Sequence, residues 1–122
     1  MRDMWNDAEL INWETAQLIK EKELSLDKDW ANGTNLFYDN GHLTTFKGNN
    51  IPAITQSNLQ RYLITRHKVA PLVQLDNTLS WIWIITPLCP SCHIETQKVS
   101  TFVYQSYEEA LEVVLQETLK LL

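Results

Sequence analysis

Apolar residues recur at helical spacing in three stretches of this chain and alternate or run together in four others. The first helical stretch is "NWETAQLIKEKEL". There Trp13, Ala16 and Ile19 share a face, while Lys20, Glu21, Lys22 and Glu23 can stay in water. Asn12 is placed to cap it, since its side-chain oxygen can accept from an unpaired N–H of the first turn. "ANGTN", Ala31 to Asn35, then breaks the pattern as a loop. The second helix is "IPAITQSNLQRYLITRHK", with Thr55 as N-cap and Ile54 and Leu59 as a hydrophobic staple. Leu59, Tyr62, Leu63 and Arg66 form its stripe. Its last turn collects Arg66, His67 and Lys68, where the helix dipole favours cations. The third is "SYEEALEVVLQETLKLL". Ser106 and Glu109 read as a capping box, and Tyr107, Leu111, Val114, Leu115, Thr118, Leu119 and Leu122 read as the docking face. Glu108, Glu112, Gln116 and Lys120 are expected on its wet side.

Strand patterns fill the intervals. "NLFYDNGHLTTF" reads as a hairpin about Asn40-Gly41, because a two-residue type I′ turn needs positive φ at both central positions. That turn pairs Tyr38 with Leu43 and puts Phe37 on the opposite face with Thr44. Three further strands are expected at Pro71–Leu75, Ser80–Thr86 and Val99–Gln105. Pro71 suits a strand start or an edge, since it donates no ladder hydrogen bond. In "SWIWIIT" the residues Trp81, Trp83 and Ile85 point one way and Ile82 and Ile84 the other. A strand apolar on both sides is expected to be covered on both by the chain, or on one by a partner. The order helix, hairpin, helix, meander, helix predicts an α+β fold, with an antiparallel sheet (a three-stranded meander plus a β-hairpin) packed by about three helices. With 122 residues and no linker, repeat or low-complexity tract, a single domain over residues 1–122 is expected.

Composition narrows the function. The longest apolar run, Trp81 to Ile85, is far short of a membrane span, and the acidic "MRDMWNDAELINWE" does not resemble a signal peptide. A cytoplasmic location is therefore expected, where thiols stay reduced. The net charge of −5 is uneven: residues 1–39 carry −5, residues 40–76 carry +3, and residues 77–122 carry −3. Four scattered bases make a poor phosphate footprint. The acidic segments suit a basic partner surface better. A nucleic-acid reading, using Arg61, Arg66 and Lys68, is kept as the alternative.

Candidate chemistry centres on "PLCPSCHIE". A closed zinc site needs four ligands, whereas Cys89 and Cys92 form one pair, and His93 lies too near Cys92 to count as an independent ligand. A thioredoxin-like redox pair belongs at a helix N-terminus, not between strands flanked by Pro87 and Pro90. Haem attachment at C-x-x-C-H requires export. The stretch is read as a hairpin loop with no cofactor, and a zinc-stabilised homodimer using Cys89, Cys92 and His93 remains the alternative. No phosphate loop, nucleophile elbow or metalloprotease motif occurs, so a non-enzymatic protein is expected. Trp5 and Trp30, in acidic surroundings, join Trp81 and Trp83 as candidate partner-binding anchors.

"NWETAQLIKEKEL", "LFYDNGHL", "IPAITQSNLQRYLITRHKV" and "YQSYEEALEVVLQETLKLL" together resemble a family of small proteins of Bacteroidota phages and prophages. The resemblance leaves out residues 24–34 and 86–98, the cysteine loop included. It brings no catalytic residues with it. It implies a mobile-element protein that binds and inhibits a host protein, such as the RNA-guided effector nuclease targeted by anti-CRISPR proteins.

Overall fold

The computed structural model describes residues 10–22, 24, 36–88 and 97–122. Its elements run α1 (Trp13–Glu21), β1 (Phe37–Asp39), β2 (His42–Thr44), β3 (Ile51–Pro52), α2 (Gln56–His67), β4 (Val69–Leu75), β5 (Trp81–Pro87), β6 (Lys98–Val99) and α3 (Tyr107–Leu121). The fold is α+β, but the strands form two separate three-stranded antiparallel sheets, ordered β2-β1-β3 and β4-β5-β6.

Local chemistry sets the helix starts. The side chains of Asn12, Thr55 and Ser106 accept from the backbone N–H of Thr15, Asn58 and Glu109, each satisfying a donor that the first turn leaves unpaired. At α3 the reciprocal half of the capping box is displaced: Glu109 accepts from the N–H of Gln105, not that of Ser106. α2 stops at Lys68, which takes the left-handed conformation (φ 57°) and donates its N–H to the Leu63 carbonyl. Lys68 therefore caps the helix instead of lying in its last turn.

The hairpin turns as its sequence dictates, with Asn40 at φ 51° and Gly41 at φ 95°, and it pairs Tyr38 with Leu43 and Phe37 with Thr44. A side chain on Gly41 would come within 3.7 Å of the Trp13 indole, so the turn lies against the start of α1. On its other edge β1 pairs with β3, Phe37 opposite Pro52, a strand that the sequence pattern merges into the approach to α2.

In the second sheet, β4 and β5 pair along seven residues each, from Val69 opposite Pro87 to Leu75 opposite Trp81. The strand expected at Val99–Gln105 is cut to Lys98–Val99. Between the Ile84–Val99 pair and the Trp81–Tyr104 bridge, one chain advances three residues and the other five. Ser100 makes this bulge: its hydroxyl accepts from the Trp83 N–H (3.2 Å) and donates to the Phe102 carbonyl (3.0 Å), in place of a ladder bond. At the free edge of β4, Pro71 has no N–H to offer, and its carbonyl accepts from Gln60 Nε2 at 2.6 Å.

One contiguous core joins the three helices and both sheets. It includes Ile11, Ile19, Tyr38, Ile54, Leu59, Leu63, Val69, Ile85, Leu111, Leu115 and Leu119. α2 and α3 pack on the side of the second sheet that carries Val69 and Ile85, and α1 packs on α3.

Candidate functional site: an acidic groove between the first and last helices

Sequence spacing puts Glu112 on the wet side of α3, and the structure corrects this. Residues Leu10 to Asn12 are stitched onto the body of the protein. The Ile11 N–H donates to the Ile54 carbonyl (3.0 Å), and the buried Tyr38 hydroxyl donates to the Ile11 carbonyl (2.7 Å). This brings the N-termini of α1 and α2 against α3. The Glu112 carboxylate accepts from the Asn12 N–H at 2.8 Å, from the Thr15 hydroxyl, and from Gln56 Nε2 at 2.7 Å. Gln56 is only 4% exposed and also donates to the Glu108 carbonyl at 3.2 Å. Gln116, likewise expected on the wet side, donates to Asn12 Oδ1 and Thr15 Oγ1. A carboxylate where two helices begin faces the positive ends of both dipoles, and its hydrogen bonds are charge-assisted. Burial, followed by the nearby Glu112 and Glu14 carboxylates, raises the Tyr38 phenol above its ordinary range.

Around this junction opens a groove of about 510 Å³, whose walls include Leu10, Glu14, Glu108, Glu109, Glu112 and Val113. A second hollow of about 380 Å³ continues it along α1 and α3; the two share Glu14 and Gln116. Glu21 and Lys120 line that continuation, and Lys120 is paired with Glu117 at 3.2 Å. Glu14, Glu108 and Glu109 are exposed on the rim, whereas Glu112 is held in the floor by its three donors. The groove thus presents carboxylates beside two aliphatic side chains. That chemistry suits a lysine or arginine side chain, whose apolar stem and charged head need different neighbours.

The residues singled out in the sequence are dispersed. Trp81 and Trp83 lie half-buried on the inward side of β5. Trp83 Nε1 donates to the Tyr104 hydroxyl at 3.4 Å, and Trp81 meets the Tyr107 ring edge-on at 5.4 Å between centroids. Arg61 and Arg66 are exposed on α2, but five residues place them roughly 140° apart around a helix of 3.6 residues per turn. Arg66 lies 5.9 Å from the Tyr62 ring centroid, and exposed Lys68 caps the helix. Trp5, Trp30, Cys89, Cys92 and His93 lie outside the described residues. Among the described residues no group of three or more His, Cys, Asp or Glu is arranged to hold a metal ion, and no helix is long and apolar enough to cross a membrane.

Periodicity could not find Glu112, because its partners are about 56 and 100 residues distant in the chain. The one signal available was local: Asn12 and Gln56 lie at helix starts, where backbone and side-chain donors seek an acceptor. No family model matches the chain, and comparison with curated proteins and with solved structures finds no match.

Proposed function

We propose that this chain is a non-catalytic binding protein of mobile-element type that inhibits a host protein by engaging a basic surface through the groove between α1 and α3. The observation that carries the reading is the rim of exposed carboxylates, Glu14, Glu108 and Glu109, beside Leu10 and Val113. Such a rim steers a cationic surface into contact, and the aliphatic wall takes the stems of its side chains. The saturation of Glu112 by three donors supports binding over acid–base chemistry, since a carboxylate so engaged is poorly placed to take a substrate proton. The host protein proposed first is an RNA-guided effector nuclease, whose basic nucleic-acid channel is a surface of the required kind.

The test is inhibition of target cleavage by a purified effector nuclease from a host of such phages. The wild-type chain is expected to inhibit, and the triple variant Glu14→Lys, Glu108→Lys, Glu109→Lys is expected to fail. Equal inhibition by the two proteins would overturn the role of the groove. Absence of inhibition by the wild type across the effectors of that host would overturn the nuclease as the partner.

A further inference from the structure

Six asparagines lie among the described residues, and their surroundings set one apart. Asn12 Oδ1 accepts from the Thr15 N–H and from Gln116, and Asn50 Nδ2 donates to the Phe46 carbonyl at 3.0 Å. Asn58 lies within α2. Asn49 and Asn77 precede Asn50 and Thr78, whose side chains crowd the backbone nitrogen that follows each asparagine. Asn40 precedes Gly41, which has no side chain to crowd it. Both residues are exposed, and neither the Asn40 carboxamide nor the Gly41 N–H is hydrogen-bonded to a described residue. The strand that follows, β2, is three residues long and forms the outer edge of its sheet, with His42 and Leu43 exposed. Little apolar burial therefore opposes local opening of this hairpin tip.

We propose that Asn40 is a site of spontaneous deamidation, with water as the co-reactant. The Gly41 backbone nitrogen attacks Asn40 Cγ. The new N–Cγ bond forms, the Cγ–Nδ2 bond breaks, and the Gly41 amide proton leaves with the side-chain nitrogen as ammonia. Water then opens the cyclic imide at one carbonyl or the other, giving aspartate or isoaspartate with no oxidation or reduction. Either product adds one negative charge to the −5 of the chain. A type I′ turn fixes the backbone on both sides of the attacking nitrogen, so ring closure waits on opening of the hairpin. The two products part at this turn. Aspartate tolerates the left-handed conformation that Asn40 holds at φ 51°, so the turn forms again. Isoaspartate puts an additional methylene into the main chain, and a two-residue loop that sets the Tyr38–Leu43 register cannot absorb it. Gly41 then leaves its place against the Trp13 indole, next to the groove residue Glu14. This chemistry is independent of what the groove binds.

Incubation of the purified full chain at mildly alkaline pH, followed by tandem mass spectrometry that resolves position 40, tests it. Asn40 is expected to convert at least about tenfold faster than Asn49, Asn50 or Asn77. The rate should rise with pH, because the attacking nitrogen must lose its proton. It should also rise in urea below the unfolding transition, which favours the open hairpin. In NMR spectra the isoaspartate form should lose the cross-strand contacts between Tyr38 and Leu43, and the aspartate form should keep them. An Asn40 that stays intact while a synthetic peptide of residues 36–46 reacts would overturn the proposal. So would conversion no faster than at Asn77, or an isoaspartate form that keeps the Tyr38–Leu43 contacts. A rate unmoved by urea would overturn the opening step.

Discussion

Ile84 and Ile85 are neighbours with the same side chain and opposite surroundings. Ile85 faces the helices, opposite Pro71, and is fully buried in the core; Ile84 faces outward in a row with Leu72 and Val99. The same contrast separates Glu112 from Glu108 one helical turn earlier: the first is held by three donors, the second stands on an open rim. In each pair the residue type is constant and the neighbouring element decides its part. Burial and hydrogen bonding, more than composition, separate the residues that hold this fold from those on its surface.

Truncation on the two faces of β5 should give the largest difference. Ile85→Ala should cost about 2–5 kcal/mol through lost burial and the cavity it leaves, whereas Ile84→Ala, at a half-buried position, should cost about 1–2 kcal/mol. Urea unfolding of the two variants checks this, and equal losses would erase the distinction between the faces. Next comes the acidic pair. Glu112→Ala removes the acceptor of two helix starts and should cost about 2 kcal/mol, while Glu108→Ala should stay within about 0.5 kcal/mol of the wild type by the same measurement. The cap of α3 is smaller still: Ser106→Ala should cost about 1 kcal/mol, visible as a lowered midpoint.

The smallest effect concerns the turn between β4 and β5. The Asp76 carboxylate accepts from the hydroxyl and N–H of Thr78, both at 2.8 Å, and from the Ser80 N–H at 3.0 Å, and these bonds hold its pKa below the ordinary carboxylate value. A folded-state value depressed in this way contributes stability above the unfolded pKa, and that contribution is lost as pH falls through the folded value. The group is exposed, so the effect should be small. An NMR titration of the Asp76 carboxyl should show a midpoint below that of Asp in a model peptide, and Thr78→Ala should move it back toward that value.

How much of this was legible in the sequence depended on how far a residue's partners lay along the chain. Asn12, Thr55, Ser106 and the Asn40-Gly41 turn act within three residues, so side-chain chemistry alone placed three helix starts and one hairpin register. The alternation in β5 likewise identified its two faces. Which face the helices would cover depended on the docking of α2 and α3, which no strand pattern encodes. The β1–β3 pairing, the separation of the strands into two sheets and the Ser100 bulge were illegible for the same reason. At the groove, the wet-side reading held for exposed Glu108 and failed for Glu112, because two helix starts converge on only one of these positions.

The groove carboxylates are proposed to capture a basic partner. The most direct measurement of this capture is the affinity of the chain for the purified effector nuclease as salt is raised, for the wild type and for the Glu14→Lys, Glu108→Lys, Glu109→Lys variant. Wild-type binding is expected to weaken steadily as the Debye length falls below about 8 Å, and the variant is expected to lose binding with its fold intact. Binding that is indifferent to salt and unchanged in the variant would contradict it.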